Sequence, residues 1–189
     1  DLSIEFDVGR SPVKAVRDVS FDINRGEIFG IVGESGSGKS TIALAIMRLL
    51  DEEGEITSGS MQFGEKELTS LSTAQMRSLR GDQISMVFQD PMNGLNPVMK
   101  IGDQVSEAIA ATDAGWAENS GTLFDEIARR LPGKTANREE VIDVLSRVGI
   151  PSPEDRLDNY PHEFSGGMRQ RVMIAMAIAA EPELLIIDE

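Results

Sequence analysis

The run Gly33-Glu34-Ser35-Gly36-Ser37-Gly38-Lys39-Ser40-Thr41 carries the densest chemistry in the chain, because it fits the pattern G-x-x-x-x-G-K-[ST]. That pattern holds a polyphosphate. Successive backbone N–H groups must curl around the anion, and glycines at 33, 36 and 38 keep side chains out of their way. Lys39 adds a point charge, and Ser40, in the first turn of the following helix, offers a hydroxyl to Mg²⁺. At average residue frequencies the four fixed positions arise by chance in roughly one chain in a hundred of this length. The flanking order of apolar run, loop and apolar helix lowers that further.

Three other places could serve the same ligand. In Leu184-Leu185-Ile186-Ile187-Asp188-Glu189 an apolar strand delivers two carboxylates to its C-terminal end, the edge at which ligands bind in parallel sheets. Asp188 there can hold Mg²⁺, and Glu189 can polarise an attacking water as general base. Ser165 is a good helix N-cap, and Gly166 and Gly167 leave the first-turn N–H groups open, so this is a second helix end suited to an anion. Gln89 closes the apolar run at residues 84–88 and falls on the same C-terminal edge. His162 is the only histidine and reads as structural, since no Ser-His-Asp set and no partner His or Cys for zinc accompany it.

These residues need a scaffold, and the patterning supplies one. Residues 2–6 and 19–23 alternate apolar and polar as half-buried strands, with the turn at residues 9–12 between them. A tight turn at 24–26 feeds a buried strand at 27–32, which carries the phosphate loop. A helix over 41–50, a loop at 51–54, a short strand at 60–63 and a helix over 73–80 capped by Ser72 come next. After the strand at 84–88 and the Pro- and Asn-punctuated loop at 90–97, the period changes to helices over 101–111, 123–131 and 138–148. Val141, Ile142, Leu145 and Val148 fall on one face of the last of these. The acidic loop 113–119 with Trp116 separates the first two, Pro151-Ser152-Pro153 marks the return to the sheet, and the helix after Ser165 runs to about 180.

Bulk composition narrows the class. The chain has 189 residues, 40% of them hydrophobic, enough for one substantial core. A net charge of −14 argues against nucleic acid and anionic lipid as partners; it reads first as a solvated acidic surface and second as salt adaptation. With no cysteine there are no disulfides or thiolate sites, and no run approaches the ~20 apolar residues of a membrane span. The chain reads as soluble and unexported. Beginning at Asp1 and ending directly after an apolar run, it reads as a piece of something longer.

Taken together, Gly33 through Thr41, Gln89, Ser165-Gly166-Gly167 and Asp188-Glu189 resemble the nucleotide-binding domain of ABC transporters. The flanking words Phe88-Gln89-Asp90-Pro91-Met92, Leu95-Asn96-Pro97 and Tyr160-Pro161-His162-Glu163-Phe164 are most similar to the oligopeptide, dipeptide and nickel importer branch. The resemblance implies an α/β fold of the P-loop NTPase class, a RecA-like mixed sheet flanked by helices, with an antiparallel β edge and an inserted helical subdomain. It places the nucleotide-binding core at residues 1–97 and 160–189 and the helical subdomain at 98–159.

By the same resemblance, residues 33–41 are the Walker A loop, Gln89 the Q-loop residue, Asp188 the Walker B carboxylate and Glu189 the catalytic base. Ser40, Gln89 and Asp188 would hold Mg²⁺. Ser165, Gly166, Gly167, Met168 and Gln170 would form the signature that acts on ATP held by a partner chain. Implied partners are a second ATPase domain, transmembrane permease subunits and, indirectly, an extracytoplasmic solute-binding protein, with the chain peripheral on the cytoplasmic face of the membrane and no nucleic acid involved. Phe164-Ser-Gly-Gly-Met168 departs from the commoner Leu-Ser-Gly-Gly-Gln, and Val13 stands where an aromatic base-stacking residue is frequent. The family's D-loop and switch histidine would lie beyond Glu189, so these 189 residues are expected to bind ATP but hydrolyse it poorly. Two other readings remain: a soluble ABC ATPase acting on nucleic acid or the ribosome, and a nucleotide-binding module that does not hydrolyse.

Overall fold

The computed structural model describes residues 1–9, 11–89, 94–113 and 136–188. It divides into two compact units, residues 1–77 with Asp188, and residues 78–187.

The first unit opens with strands β1 (Leu2–Asp7) and β2 (Pro12–Val19), joined later by β3 (Gly54–Ser58) in an antiparallel sheet of order β2-β1-β3. Leu2 lies opposite Val19 and Phe6 opposite Val13, while on the other edge Ile4 lies opposite Ile56. Ile4 and Val16 form the buried face of this sheet. The second strand therefore lies at 12–19, not at the expected 19–23. A hairpin ladder begins as soon as its turn closes; it shifts register near Asp18, which takes φ 49°, and ends at the Leu2–Val19 pair, so residues 20–23 join no strand. Strand β3 escaped the pattern reading because Ile56 is its one apolar residue. The glycine at its start is required by a close approach: a Cβ on Gly54 would lie 2.8 Å from the Phe6 ring.

The expected buried strand at 27–32 is a second correction. The segment makes no ladder, Ile28 and Val32 are fully or almost fully exposed, and Phe29 and Ile31 are more than 40% exposed. An apolar run specifies burial but not the edge it pairs with, and here the available ladders close among other strands. What orders it is local. Glu27 accepts from the backbone N–H of Asn24 at 2.7 Å and from its amide at 2.9 Å, and Phe29 stacks on Phe21 with ring centroids 5.0 Å apart. The turn at 24–26 is thereby confirmed, closed by the bond from Glu27 N–H to Asn24 O.

Helix α1 (Lys39–Ile46) follows the phosphate loop and buries Ile42 and Ala45. It stops short of the expected residue 50 because Arg48 takes φ 49°. The β4 (Gln62–Phe63) and β5 (Lys66–Glu67) hairpin is organised by the Glu67 carboxylate. It accepts from Met61 N–H at 2.9 Å, from the Gln62 amide at 2.7 Å, and from the Thr69 hydroxyl and N–H. These bonds, the Thr69 hydroxyl first and Met61 next, hold its pKa below the ordinary 4.5. A lowered folded-state pKa contributes stability that is complete above the unfolded value and lost as pH falls through the folded one. The melting-temperature gap between the parent and Glu67→Gln should therefore be widest at neutral pH and shrink below about pH 4.5. A gap that stays constant across a pH 3 to 7 melting series would refute that role. Helix α2 (Thr73–Leu79) begins as expected at Ser72, whose hydroxyl accepts from Gln75 N–H at 3.3 Å while Gln75 accepts from Ser72 N–H at 2.9 Å.

In the second unit β6 (Ile84–Val87) and β7 (Leu184–Ile187) pair in parallel, Ile84 opposite Leu184 through Val87 opposite Ile187. The expected full burial is met in β6 except at half-buried Met86, but not in β7, whose residues 184–186 are half-buried and whose Ile187 is 51% exposed. A strand with one ladder has one open edge. Helices α3 (Ile101–Asp113), α4 (Arg138–Arg147) and α5 (Gly166–Ile178) pack around Ile101, Val105, Leu145 and Val172, none of which is accessible to solvent. Each such side chain contributes about 1.5–3 kcal/mol of burial. Helix α4 carries a complete capping box between Asn137 and Glu140. The N-terminus of α3 is satisfied by chain rather than water, with Ile101 N–H on Asn159 O and Gly102 N–H on Leu157 O, both 2.9 Å. Only glycine fits at 102, where a Cβ would lie 2.9 Å from Leu157 O. The expected helix at 123–131, most of the loop 113–119 and Trp116 lie outside the described residues. Among the described residues no helix is long and apolar enough to cross a membrane.

Candidate nucleotide site

The phosphate loop is shaped by its glycines for two distinct reasons. Gly36 and Gly38 take φ of 78° and 92°, where a side chain is strained, and a Cβ on Gly38 would lie 2.6 Å from Ala15 O. At Gly33 a Cβ would lie 2.7 Å from Ser37 Oγ, so a side chain there would displace the Ser37 hydroxyl. Ser37 N–H bonds Glu34 O at 3.2 Å, tightening the turn. Gly38 caps α1 without a side chain, so no group competes with a ligand for the first-turn N–H groups.

Lys39 folds back over this loop. Its Nζ donates to Gly33 O at 2.9 Å and Glu34 O at 2.8 Å, which holds the ammonium at the mouth of the loop with a third proton available to an anion. Beside it Ser40 Oγ donates to Asp188 Oδ1 at 2.9 Å, joining residues 148 apart in sequence. A hydroxyl and a carboxylate at this separation are both hard oxygen donors, the kind Mg²⁺ selects, so the pair fits that ion. Lys39, Ser40 and Asp188 are therefore brought together in the first unit, as the sequence reading expected of a loop and a distant carboxylate.

The remaining expected residues belong to the second unit. Gln89 is exposed at the end of the β6 segment. Ser165 caps α5 with Oγ accepting from Met168 N–H at 3.3 Å, and Met168 and Gln170 are half-buried on its first turns. Gly166 and Gly167 are exposed, and a Cβ on either would meet none of the described residues within 4 Å. Among the described residues nothing demands glycine there. The helix end is held from behind by two arginines the sequence reading passed over: Arg169 Nε donates to Pro161 O and Arg171 Nη1 to Gly149 O, each at 2.7 Å. The signal for them was only their place after the glycines. His162 is exposed and stacks on Tyr160 with ring centroids 5.8 Å apart. Val13 is 51% exposed on β2. Glu189 lies outside the described residues. Among those described, no cluster of three or more His, Cys, Asp or Glu could hold a metal.

A glycine-shaped phosphate loop opening a helix, joined through its serine to an aspartate that follows an apolar strand, defines a P-loop nucleotide-binding domain. The chain belongs to the ABC transporter family, whose profile matches residues 16–189. It is 46% identical over 190 residues to the dipeptide transport ATP-binding protein DppD of Bacillus subtilis, covering 100% of this chain and 52% of that protein. To the oligopeptide transport ATP-binding protein OppD of the same organism it is 44% identical over 190 residues, covering 100% and 48%. The chain thus spans about half the length of the curated relatives it matches. The fold is similar to that of the dimeric ATP-binding cassette MJ0796 bound to ADP and Pi, with a TM-score of 0.75 at 23% identity, covering 100% of this chain and 71% of that one.

Proposed function

We propose that this chain is the nucleotide-binding part of the ATPase subunit of an importer for peptides or similar small solutes. The observation that carries the reading is the Ser40–Asp188 bond beside Lys39, which assembles the phosphate-loop hydroxyl, a carboxylate and an ammonium in one place. Lys39 and the loop N–H groups hold the β- and γ-phosphates and stabilise charge on the transferring phosphoryl group. Ser40 and Asp188 would hold Mg²⁺, which would supply neutralisation of phosphate charge, and Glu189 would orient the attacking water.

The open glycines at 166 and 167 support a composite arrangement, in which Ser165, Gly166, Gly167, Met168 and Gln170 face the nucleotide of a second ATPase domain. Permease subunits, served outside the membrane by a solute-binding protein, would receive the motion through the segment 98–159. The similarity to peptide transport ATP-binding proteins supports the solute class. The test is reconstitution of the full-length subunit with its permease in vesicles. Mg²⁺-dependent ATP turnover that rises when peptide and binding protein are supplied supports the reading, and turnover indifferent to them but responsive to nucleic acid or ribosomes overturns it.

A further inference from the structure

The loop that follows Gln89 is fastened to the helices of the second unit at three consecutive residues. Gly94 lies so close to α5 that a Cβ there would sit 2.7 Å from Met173 Cε and 2.8 Å from its sulfur. Leu95 is 4% exposed within the core shared with Ile101, Val105, Val172 and Met173. Asn96 is gripped on both sides of its backbone by one side chain, Gln104 of α3. Gln104 Oε1 accepts from Asn96 N–H at 2.9 Å, and its amide donates to Asn96 O at 3.0 Å and Met99 O at 2.9 Å.

Gln104 is 4% exposed, one of two buried polar side chains among the described residues. A helix facing an apolar core gains nothing from an amide there unless the amide has a task, because burial of a polar group costs free energy that its bonds must offset. Its three bonds all go to the turn at 96–99, in the pattern one strand uses toward another. We propose that Gln104 is a positioning residue for Gln89, which fixes residues 96–99 to α3 and, with the Gly94–Met173 contact, makes residues 94–99 and the Ser165 helix move as one body. Met173 lies eight residues along α5 from Ser165, about 12 Å of rigid helix. A displacement at residues 94–96 therefore reaches the Ser165 end through packed contacts.

This inference rests on the ATPase reading, and its test separates the two. In the full-length subunit reconstituted with its permease, Gln104→Leu keeps the volume and removes all three bonds. Expected are a roughly tenfold fall in kcat with KM for ATP changed less than about twofold, and in a Gln89→Ala background a further fall of less than about twofold. Equal losses in both backgrounds, or no loss in the parent background, overturn the proposal. Should Gln104→Leu fail to fold, Gly94→Ala, which pushes on Met173 instead, is put through the same pair of backgrounds with the same expectations. If the parent subunit binds no ATP, the ATPase reading fails before the cycle begins.

Discussion

Lys39→Ala is expected to weaken ATP binding by about a hundredfold or more. A hydrogen bond to a charged partner is worth about 1.5–3 kcal/mol, and a hundredfold corresponds to about 2.7 kcal/mol. Lys39 contributes on two fronts. Its ammonium meets the phosphates, and its bonds to Gly33 O and Glu34 O brace the loop whose N–H groups meet them as well. Lys39→Arg should fail almost as badly, since a planar fork cannot sit where a compact ammonium reaches two carbonyls and an anion. Equilibrium titration with a fluorescent ATP analogue in the presence of Mg²⁺ reads the effect directly. Affinity within threefold of the parent in the alanine variant would sink the assignment of the loop.

The second large effect is on turnover rather than binding. In the full-length subunit Glu189→Gln should lower ATP hydrolysis by about 10²–10⁴, the range of a lost general base, with ATP affinity retained. Because the nucleotide then persists, the variant should accumulate as an ATP-bound pair of subunits, visible by light scattering after gel filtration. Turnover equal to the parent's would show that some other group takes the proton. The two variants answer different questions: the lysine reports on holding the phosphates, the glutamate on attacking them.

What could be read from the amino acids was whatever depends on neighbours in sequence. The phosphate loop, the Ser72 and Ser165 caps and the turn at 24–26 are each closed by bonds spanning a few residues, and each was found where expected. Asp188 was legible for another reason, as a polar residue directly after an apolar strand. Ladder partners were not legible. Residues 27–32 and 12–19 are both plausible strands by composition, and only the hairpin turn after Asp7 decides that the second pairs with β1. Gln104 was invisible for the converse reason, since a glutamine on an amphipathic helix looks like a solvated residue until the turn it grips folds against it.

The exposed apolar side chains of Ile28, Phe29, Ile31 and Val32 also bear on how copies of this protein behave in concentrated solution. An unpaired apolar segment is a template for stacking against another molecule, and mutual repulsion from a net charge of −14 opposes that encounter. Such repulsion acts over a Debye length of about 10 Å at 0.1 M salt and about 3 Å at 1 M. Colloidal stability therefore has an ionic-strength dependence opposite to that of a basic protein on nucleic acid: added salt brings these molecules together.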